Sequence, residues 1–193
     1  MIFAPESISA INAGRKTQTR RPVKDEDFAV FDAGMVGRGL DEPLISGDRK
    51  QCEVRDGRGR RKWVRGRTYS MNPPPPPGVR ARMGKQVGRI LLKGIRCERV
   101  RDISDEDAEA EGVIHTSWKR GGPWTSEEEA WFMYGALLVD DPEKQPWAIR
   151  FKGKVYYGET PREAFLLGWK SFCRTDLAEL VWVLEFEVYH DPA

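Results

Sequence analysis

The sequence predicts an α+β fold in which short strands form a small β-barrel flanked by a few short helices. Residues 180–189 alternate apolar and polar side chains with a period of two, which is typical of a half-buried strand. Residues 87–92 and 95–100 have the β-branched composition of further strands. Capping patterns that begin at Ser104 and Thr160 indicate helices between the strands. Short strands combined with a few helices are typical of small barrels.

The chain opens with a short strand at Ile2 and Phe3, and a helix follows. Pro5 suits the first turn of that helix, and Gly14 suits the left-handed residue that ends it. The next eight residues, 15–22, offer no apolar side chain for burial, which predicts an exposed connection or the edge of a cleft. In a regular strand Lys16 and Thr19 would face opposite sides, so this segment must turn if the two cooperate.

Residues 25–62 are rich in glycine and charge and are predicted to be an insertion. Within it, residues 52–64 resemble a hairpin whose turn is Asp56-Gly57. The proline run 73–77 is predicted to be a polyproline II spacer, with a docking strip as the alternative.

In the second half, Gly94 indicates a bulge or tight turn between two strands, and Gly112 ends the acidic helix that Ser104 begins. Residues 113–158 contain four tryptophans and a helical stretch at 127–138, which predicts a second insertion. Basic residues next to Trp118 suit base stacking, although packing of the insertion is the alternative. With 193 residues, the chain is predicted to be one domain, 1–193, that carries both insertions.

The charges are distributed unevenly along the chain. Residues 1–100 hold 22 Lys and Arg against 11 Asp and Glu, and residues 101–193 hold 10 against 19. The halves therefore carry +11 and −9. A basic half suggests a surface for phosphates and so a nucleic-acid partner, whereas mutual neutralisation of the two halves is the alternative.

Several functional classes are not expected. No apolar run approaches the length of a membrane span, and the first residues lack the features of a secretory signal, so we expect a cytoplasmic protein without membrane contact. The three cysteines are far apart, and the two histidines lack partners at ligand spacing, which predicts neither disulfides nor a metal site. Glycines 34, 37 and 39 do not fit a dinucleotide loop, and no cofactor is expected.

The segment after the first helix resembles the signature GxKxxTxR of the ASCH family, with matches at Gly14, Lys16, Thr19 and Arg21. The downstream order of strands, acidic helix and closing strand is also similar, and the resemblance covers about half of the chain. It implies a PUA-like barrel whose cleft takes a nucleotide, a modified nucleoside or RNA. The sequence that starts at Ala13, AGRKTQTRRPVK, is similar to that of phage and prophage proteins. This similarity implies that the protein acts in the cytoplasm of a host cell.

One branch of this family hydrolyses N4-acetylcytidine with a lysine, a threonine and a glutamate. The resemblance assigns the first two roles to Lys16 as base and Thr19 as nucleophile. It places the glutamate at Glu111 as proton donor, with Glu109 as the alternative register.

Arg15, Arg20 and Arg21 are expected to bind substrate or nucleic acid. The alternatives are a non-catalytic module that binds RNA or DNA, a ribonuclease, and an accessory protein that binds a host partner. A further interpretation of these residues is a solvated basic loop together with the end of a surface helix.

Overall fold

The computed structural model describes residues 1–24, 26–31, 36–37, 51–75, 84–115, 147–151, 154–173 and 176–190. Its fold is mixed α+β with mostly antiparallel strands, which confirms the predicted class at that level. The helices are α1 Pro5–Asn12, α2 Asp105–Ala110 and α3 Pro161–Cys173. The strands are β1 Gln18–Pro22, β2 Phe28–Phe31, β3 Val36–Gly37, β4 Gln51–Arg55, β5 Arg61–Val64, β6 Thr68–Met71, β7 Gly88–Arg99, β8 Ile114–His115, β9 Trp147–Phe151, β10 Lys154–Gly158 and β11 Leu180–Val188.

The described elements separate into two compact units, Met1–Asp102 with Ala178–Ala193, and Ile103–Leu177. The first unit contains α1, β1 to β7 and β11. The second contains α2, α3 and β8 to β10. The single domain over 1–193 and the insertion at 113–158 stay predictions, and the helical stretch at 127–138 with Trp118, Trp124 and Trp131 lies outside the described residues.

The first sheet of the first unit has the strand order β1-β11-β7-β6, and every pair in it is antiparallel. Strand β11 is central, and its residues 181–184 are buried without interruption, so both of its faces are covered there rather than one face only. The two strands predicted at 87–100 form the single long strand β7. Its pairing with β11 shifts beside Gly94, which confirms the predicted bulge.

The second sheet has the order β3-β2-β4-β5 and includes the predicted hairpin, β4 to β5, whose turn begins at Asp56. Residues 25–62, predicted to be an insertion, supply most of this sheet. Its inward residues Ala29 and Val54 join residues of the first sheet in one core cluster. The members from the first sheet are Leu92, Ile95, Trp182 and Leu184.

In the residues that the structure describes, no sheet closes on itself, so the small closed barrel predicted from the sequence is not formed. A barrel requires hydrogen bonding around its whole circumference. Here Ile2 bridges to Asn72 next to β6 at one edge of the first sheet, and the chain then passes through α1 to β1 at the opposite edge. The side chain of Arg21 in β1 donates from Nη2 to the Ile2 carbonyl at 2.9 Å. A side-chain contact therefore joins β1 to the N-terminal segment, where a barrel would have backbone pairing.

The second unit combines a three-stranded antiparallel sheet, in the order β10-β9-β8, with α2 and α3. The predicted caps of both helices are present. Ser104 Oγ accepts a hydrogen bond from the Asp107 amide at 3.1 Å, and Thr160 Oγ1 accepts one from the Glu163 amide at the same distance. Phe165 and Trp169, four residues apart on α3, stack with ring centroids 5.7 Å apart. Of the described helices, none has the length and apolar character that a membrane crossing requires.

Candidate functional site

The segment that carries Lys16 leaves α1 through a tight turn. Gly14 has a φ of +72°, in the left-handed region that favours glycine, and the Ala10 carbonyl accepts hydrogen bonds from the Arg15 and Lys16 amides at 2.9 and 3.1 Å. The Thr17 carbonyl then accepts from the Phe186 amide at 2.8 Å, so pairing with β11 begins directly after Lys16. The predicted end of the helix at Gly14 is therefore present. The turn lies before Lys16, so the cooperation of Lys16 with Thr19 stays a prediction.

Half of the residues in the segment 15–22 are buried, so of the two predicted alternatives the exposed connection is wrong and the edge of a cleft stays a prediction. Lys16 and Thr19 are each 6% exposed, whereas Thr17 between them is exposed. The prediction of an exposed connection was wrong because a segment without apolar residues can still be buried. A sheet strand satisfies its backbone groups through its neighbour, and polar side chains that find partners can then be buried with it.

Thr19 lies beside the apolar core of the first unit. It pairs with Leu184 of β11, which in turn pairs with Ile95 of β7, and both of these residues belong to the core cluster. Residues directly opposite each other on neighbouring strands share a face of the sheet, so the threonine hydroxyl is held in apolar surroundings. A polar contact made by this hydroxyl is therefore little weakened by water.

Arg20 lies on the opposite face of β1, where it forms an ion pair. Its guanidinium donates from Nε and Nη2 to Glu98 Oε1 at 3.1 and 2.5 Å, and its side chain has no exposed surface. Arg96 donates to the other carboxylate oxygen of Glu98 at 3.2 Å and to Gln18 Oε1 at 3.3 Å. Arg96 also pairs with Glu185. The structure therefore places Arg20 in a polar network across β1, β11 and β7.

The other two arginines of the segment are half-buried. Arg21 contacts the N-terminal segment through the Ile2 carbonyl, and its guanidinium lies 5.5 Å from the centroid of the Phe3 ring. Arg15 belongs to the turn after α1. The predicted binding role of these residues and of Arg20 stays a prediction, since no described contact of theirs requires a ligand.

Glu111 belongs to the second unit, where it is the C-cap residue of α2. It is 6% exposed, whereas Glu109, the alternative from the other register, is exposed. Its amide donates to the Asp107 and Ala108 carbonyls at 3.0 and 3.2 Å, and Gly112 follows with a φ of +99°. The helix end therefore fixes the backbone of the glutamate that the resemblance selects.

Sequence reasoning missed Asp27, a buried carboxylate that joins the two sheets. Its Oδ2 accepts from the Lys24 amide at 3.2 Å, from Lys62 Nζ at 2.5 Å and from Trp182 Nε1 at 3.3 Å. It also missed Glu98 and Arg96, which form the polar network with Arg20. These two residues are two positions apart on a predicted strand, so their side chains share a face, and this spacing was a signal that they could pair.

No group of three or more potential metal ligands occurs in the described part of the chain. Cys97 is a free thiol. Burial, and then the carboxylate of Glu98, raise the pKa of the Cys97 thiol from 9.0 to about 12. Such a thiol is mostly protonated at neutral pH and is a poor nucleophile.

Comparison of the chain with protein-family models, with curated proteins and with solved structures finds no match in any of the three.

Proposed function

We propose that this chain is an ASCH-type, PUA-like protein that binds a nucleotide, a modified nucleoside or RNA at the segment 14–21, and that it hydrolyses N4-acylated cytidine. One observation carries the proposal. The three residues that the resemblance selects, Lys16, Thr19 and Glu111, are all buried, although lysine and glutamate are almost never fully buried unless they are paired. Their neighbours Thr17 and Glu109 are exposed. The segment also buries Gln18 and Arg20, so this burial argues against a solvated basic loop and against an exposed glutamate at a helix end.

The residues suit acyl transfer. In the proposed reaction Lys16 acts as a base toward the Thr19 hydroxyl and takes up its proton. The threonine oxygen attacks the amide carbonyl, the tetrahedral intermediate collapses, and Glu111 donates a proton to the departing N4 amine of cytidine. Water then hydrolyses the acyl-threonine, so the products are cytidine and a carboxylic acid. A protein of phage origin would perform this reaction in the host cytoplasm.

The test is an assay of purified protein with a panel of N4-acylated cytidines, in which free cytidine is followed by chromatography. We expect Lys16→Met, Thr19→Val and Glu111→Gln each to lower kcat/KM by about 100-fold or more, the usual contribution of a positioned acid or base. Thr17→Val and Glu109→Gln are matched controls because they change the exposed neighbours, and we expect activity within about twofold of the parent protein. Absence of turnover by the parent protein on every substrate would refute the enzymatic proposal.

A non-catalytic module that binds RNA or DNA is the second candidate, and the excess of basic residues in the first half of the chain supports it. In this case the unmodified and acylated nucleosides bind in equilibrium dialysis but are recovered unchanged. Lys16→Met then weakens binding, whereas Thr17→Val does not.

A further inference from the structure

A hairpin of the second sheet carries the densest positive charge of the described residues. Residues 55–67, here called the basic hairpin, run from the last residue of β4 through β5 to the turn before β6. They contain seven basic residues and a single acidic one, Asp56. The basic residues are Arg55, Arg58, Arg60, Arg61, Lys62, Arg65 and Arg67.

The turn of the basic hairpin is held in one conformation by Asp56. Its Oδ1 accepts from the Arg58 and Arg60 amides at 3.0 and 2.9 Å, and its Oδ2 accepts from Arg60 Nε at 2.8 Å. These hydrogen bonds hold the pKa of Asp56 below its usual value, with the Arg60 side chain as the largest cause. Gly59, with a φ of +74°, completes the turn. Arg58 and Arg60 are therefore presented by a fixed backbone.

Among the described residues, the carboxylates near the basic hairpin are fewer than its cations. Glu53 pairs with Arg55 and Arg61, Asp27 pairs with Lys62, and Asp56 pairs with Arg60. Glu26 lies against Gly57. Seven basic side chains against these four described carboxylates are an excess of three positive charges.

Several of the basic side chains are in contact with solvent. Arg58 and Arg67 are exposed, and the side chains of Arg60 and Arg61 keep 70% and 59% of their surface in water. From Arg60 to Arg65 the chain advances five residues, which corresponds to about 17 Å of extended strand. That length matches about five phosphate steps of one nucleic-acid strand at roughly 3.4 Å each.

We propose that the basic hairpin binds the phosphate backbone of a nucleic-acid strand. Six of its seven cations are arginines, whose planar fork pairs with phosphate oxygens in a bidentate manner. The large exposed apolar residues of the described chain, Ile2, Val87 and Leu167, lie outside the hairpin, so it lacks the apolar anchor that a membrane surface would engage. This inference goes beyond the proposed function, because backbone binding at the hairpin does not depend on Lys16.

The test measures fluorescence anisotropy of labelled 20-nucleotide RNA and DNA strands at several salt concentrations. We expect Arg58→Gln combined with Arg67→Gln to weaken binding by about tenfold at 0.1 M salt and to reduce the salt slope by about 1.4, or 0.7 for each phosphate that the variant no longer neutralises. The matched control combines Lys85→Gln with Arg101→Gln, which removes two exposed cations of the same unit outside the hairpin. We expect binding within about twofold of the parent protein for this control.

Further arms complete the test, and one of them replaces the nucleic acid with vesicles of phosphatidylserine. Turnover of N4-acetylcytidine by the variant that combines Arg58→Gln with Arg67→Gln should stay within about twofold of the parent protein, which separates this proposal from the function of segment 14–21. Arg58→Gln alone should give about half of the change in slope, and thermal unfolding checks that every variant is folded. Weaker binding of either nucleic acid by the hairpin variants supports the proposal. Unchanged binding in those variants, no binding by the parent protein, or binding only to vesicles of phosphatidylserine would overturn it.

Discussion

Asp27 connects three parts of the first unit through a single buried carboxylate. Its side chain is 2% exposed and accepts hydrogen bonds from an amide, an ammonium and an indole. Hydrogen bonds to a charged group contribute about 1.5–3 kcal/mol each when the partners are held in place. Nothing in the sequence around Asp27 indicates this role, because two of its partners are 35 and 155 residues away along the chain.

We expect Asp27→Ala to lower the free energy of unfolding by about 2–4 kcal/mol, since it leaves Lys62 and the Trp182 indole without their acceptor. Urea unfolding followed by tryptophan fluorescence measures this change. Asp102→Ala is the control, because that side chain is 59% exposed and its ion pair with Arg101 is long, at 3.8 Å. Equal effects of the two substitutions would show that Asp27 does not stabilise the junction of the sheets.

Cys97 gives a prediction that depends on pH. Burial raises the pKa of its thiol to about 12, so the folded state favours the protonated form. The stability that this contributes is fully present below pH 9 and is lost as the pH rises from 9 toward 12, because only the unfolded chain ionises in that window. At pH 8 the folded protein has on the order of a thousandfold less Cys97 thiolate than the unfolded chain.

The measurement is alkylation by iodoacetamide at pH 8 in a variant with Cys52→Ser and Cys173→Ser. We expect Cys97 to react much more slowly in buffer than in denaturant. Equal rates in the two conditions would mean that the thiol is accessible and ionises normally.

At the scale of elements, the sequence predicts what local chemistry determines. The caps at Ser104 and Thr160 and the turn at Asp56 depend on neighbouring residues, and each is present in the structure. Burial of the segment after α1 was not predictable in this way. It depends on Glu98 and Leu184, which are distant in the sequence.

The packing of β10 on α3 depends on Gly158. A Cβ atom added there would lie 3.0 Å from Ala164 Cα and closer still to the Ala164 amide nitrogen, and both are backbone atoms of the helix. We expect Gly158→Ala to destabilise the protein by about 1–3 kcal/mol, because neither backbone can move without disturbing the residues packed around it.

The matched control is Gly94→Ala, whose Cβ would meet the side chain of Glu185 rather than backbone. That side chain can rotate, so we expect a change of less than about 1 kcal/mol in the free energy of unfolding. Thermal unfolding of both variants gives the comparison. A larger effect at Gly94 than at Gly158 would contradict the packing described for β10 and α3.

At the scale of the whole molecule, composition and capping signals predicted the α+β class, but not the arrangement of the strands. The sequence shows which segments are extended and does not show which edges pair. In the described residues, β1 and β6 are the two edges of the first sheet, and residues of the second sheet pack against one face of the first sheet. The candidate site stays a prediction that rests on the spacing of Gly14, Lys16, Thr19 and Arg21 in the sequence.

The proposed chemistry transfers protons between side chains, which gives a prediction for the whole protein. We expect incubation with EDTA followed by desalting to leave both the turnover of acylated cytidine and the unfolding temperature unchanged. A fall in activity that Zn²⁺ or Mg²⁺ restores would contradict a mechanism based on Lys16, Thr19 and Glu111 alone.

The central claim is that segment 14–21 holds an acylated nucleoside with its carbonyl at the threonine. The most direct measurement is a crystal structure of the Lys16→Met variant with N4-acetylcytidine, because this variant keeps the nucleophile and lacks the base. We predict a distance of about 3–3.5 Å between Thr19 Oγ1 and the acetyl carbonyl carbon. A nucleoside bound away from segment 14–21, or bound there with its acetyl group remote from Thr19, would contradict the claim.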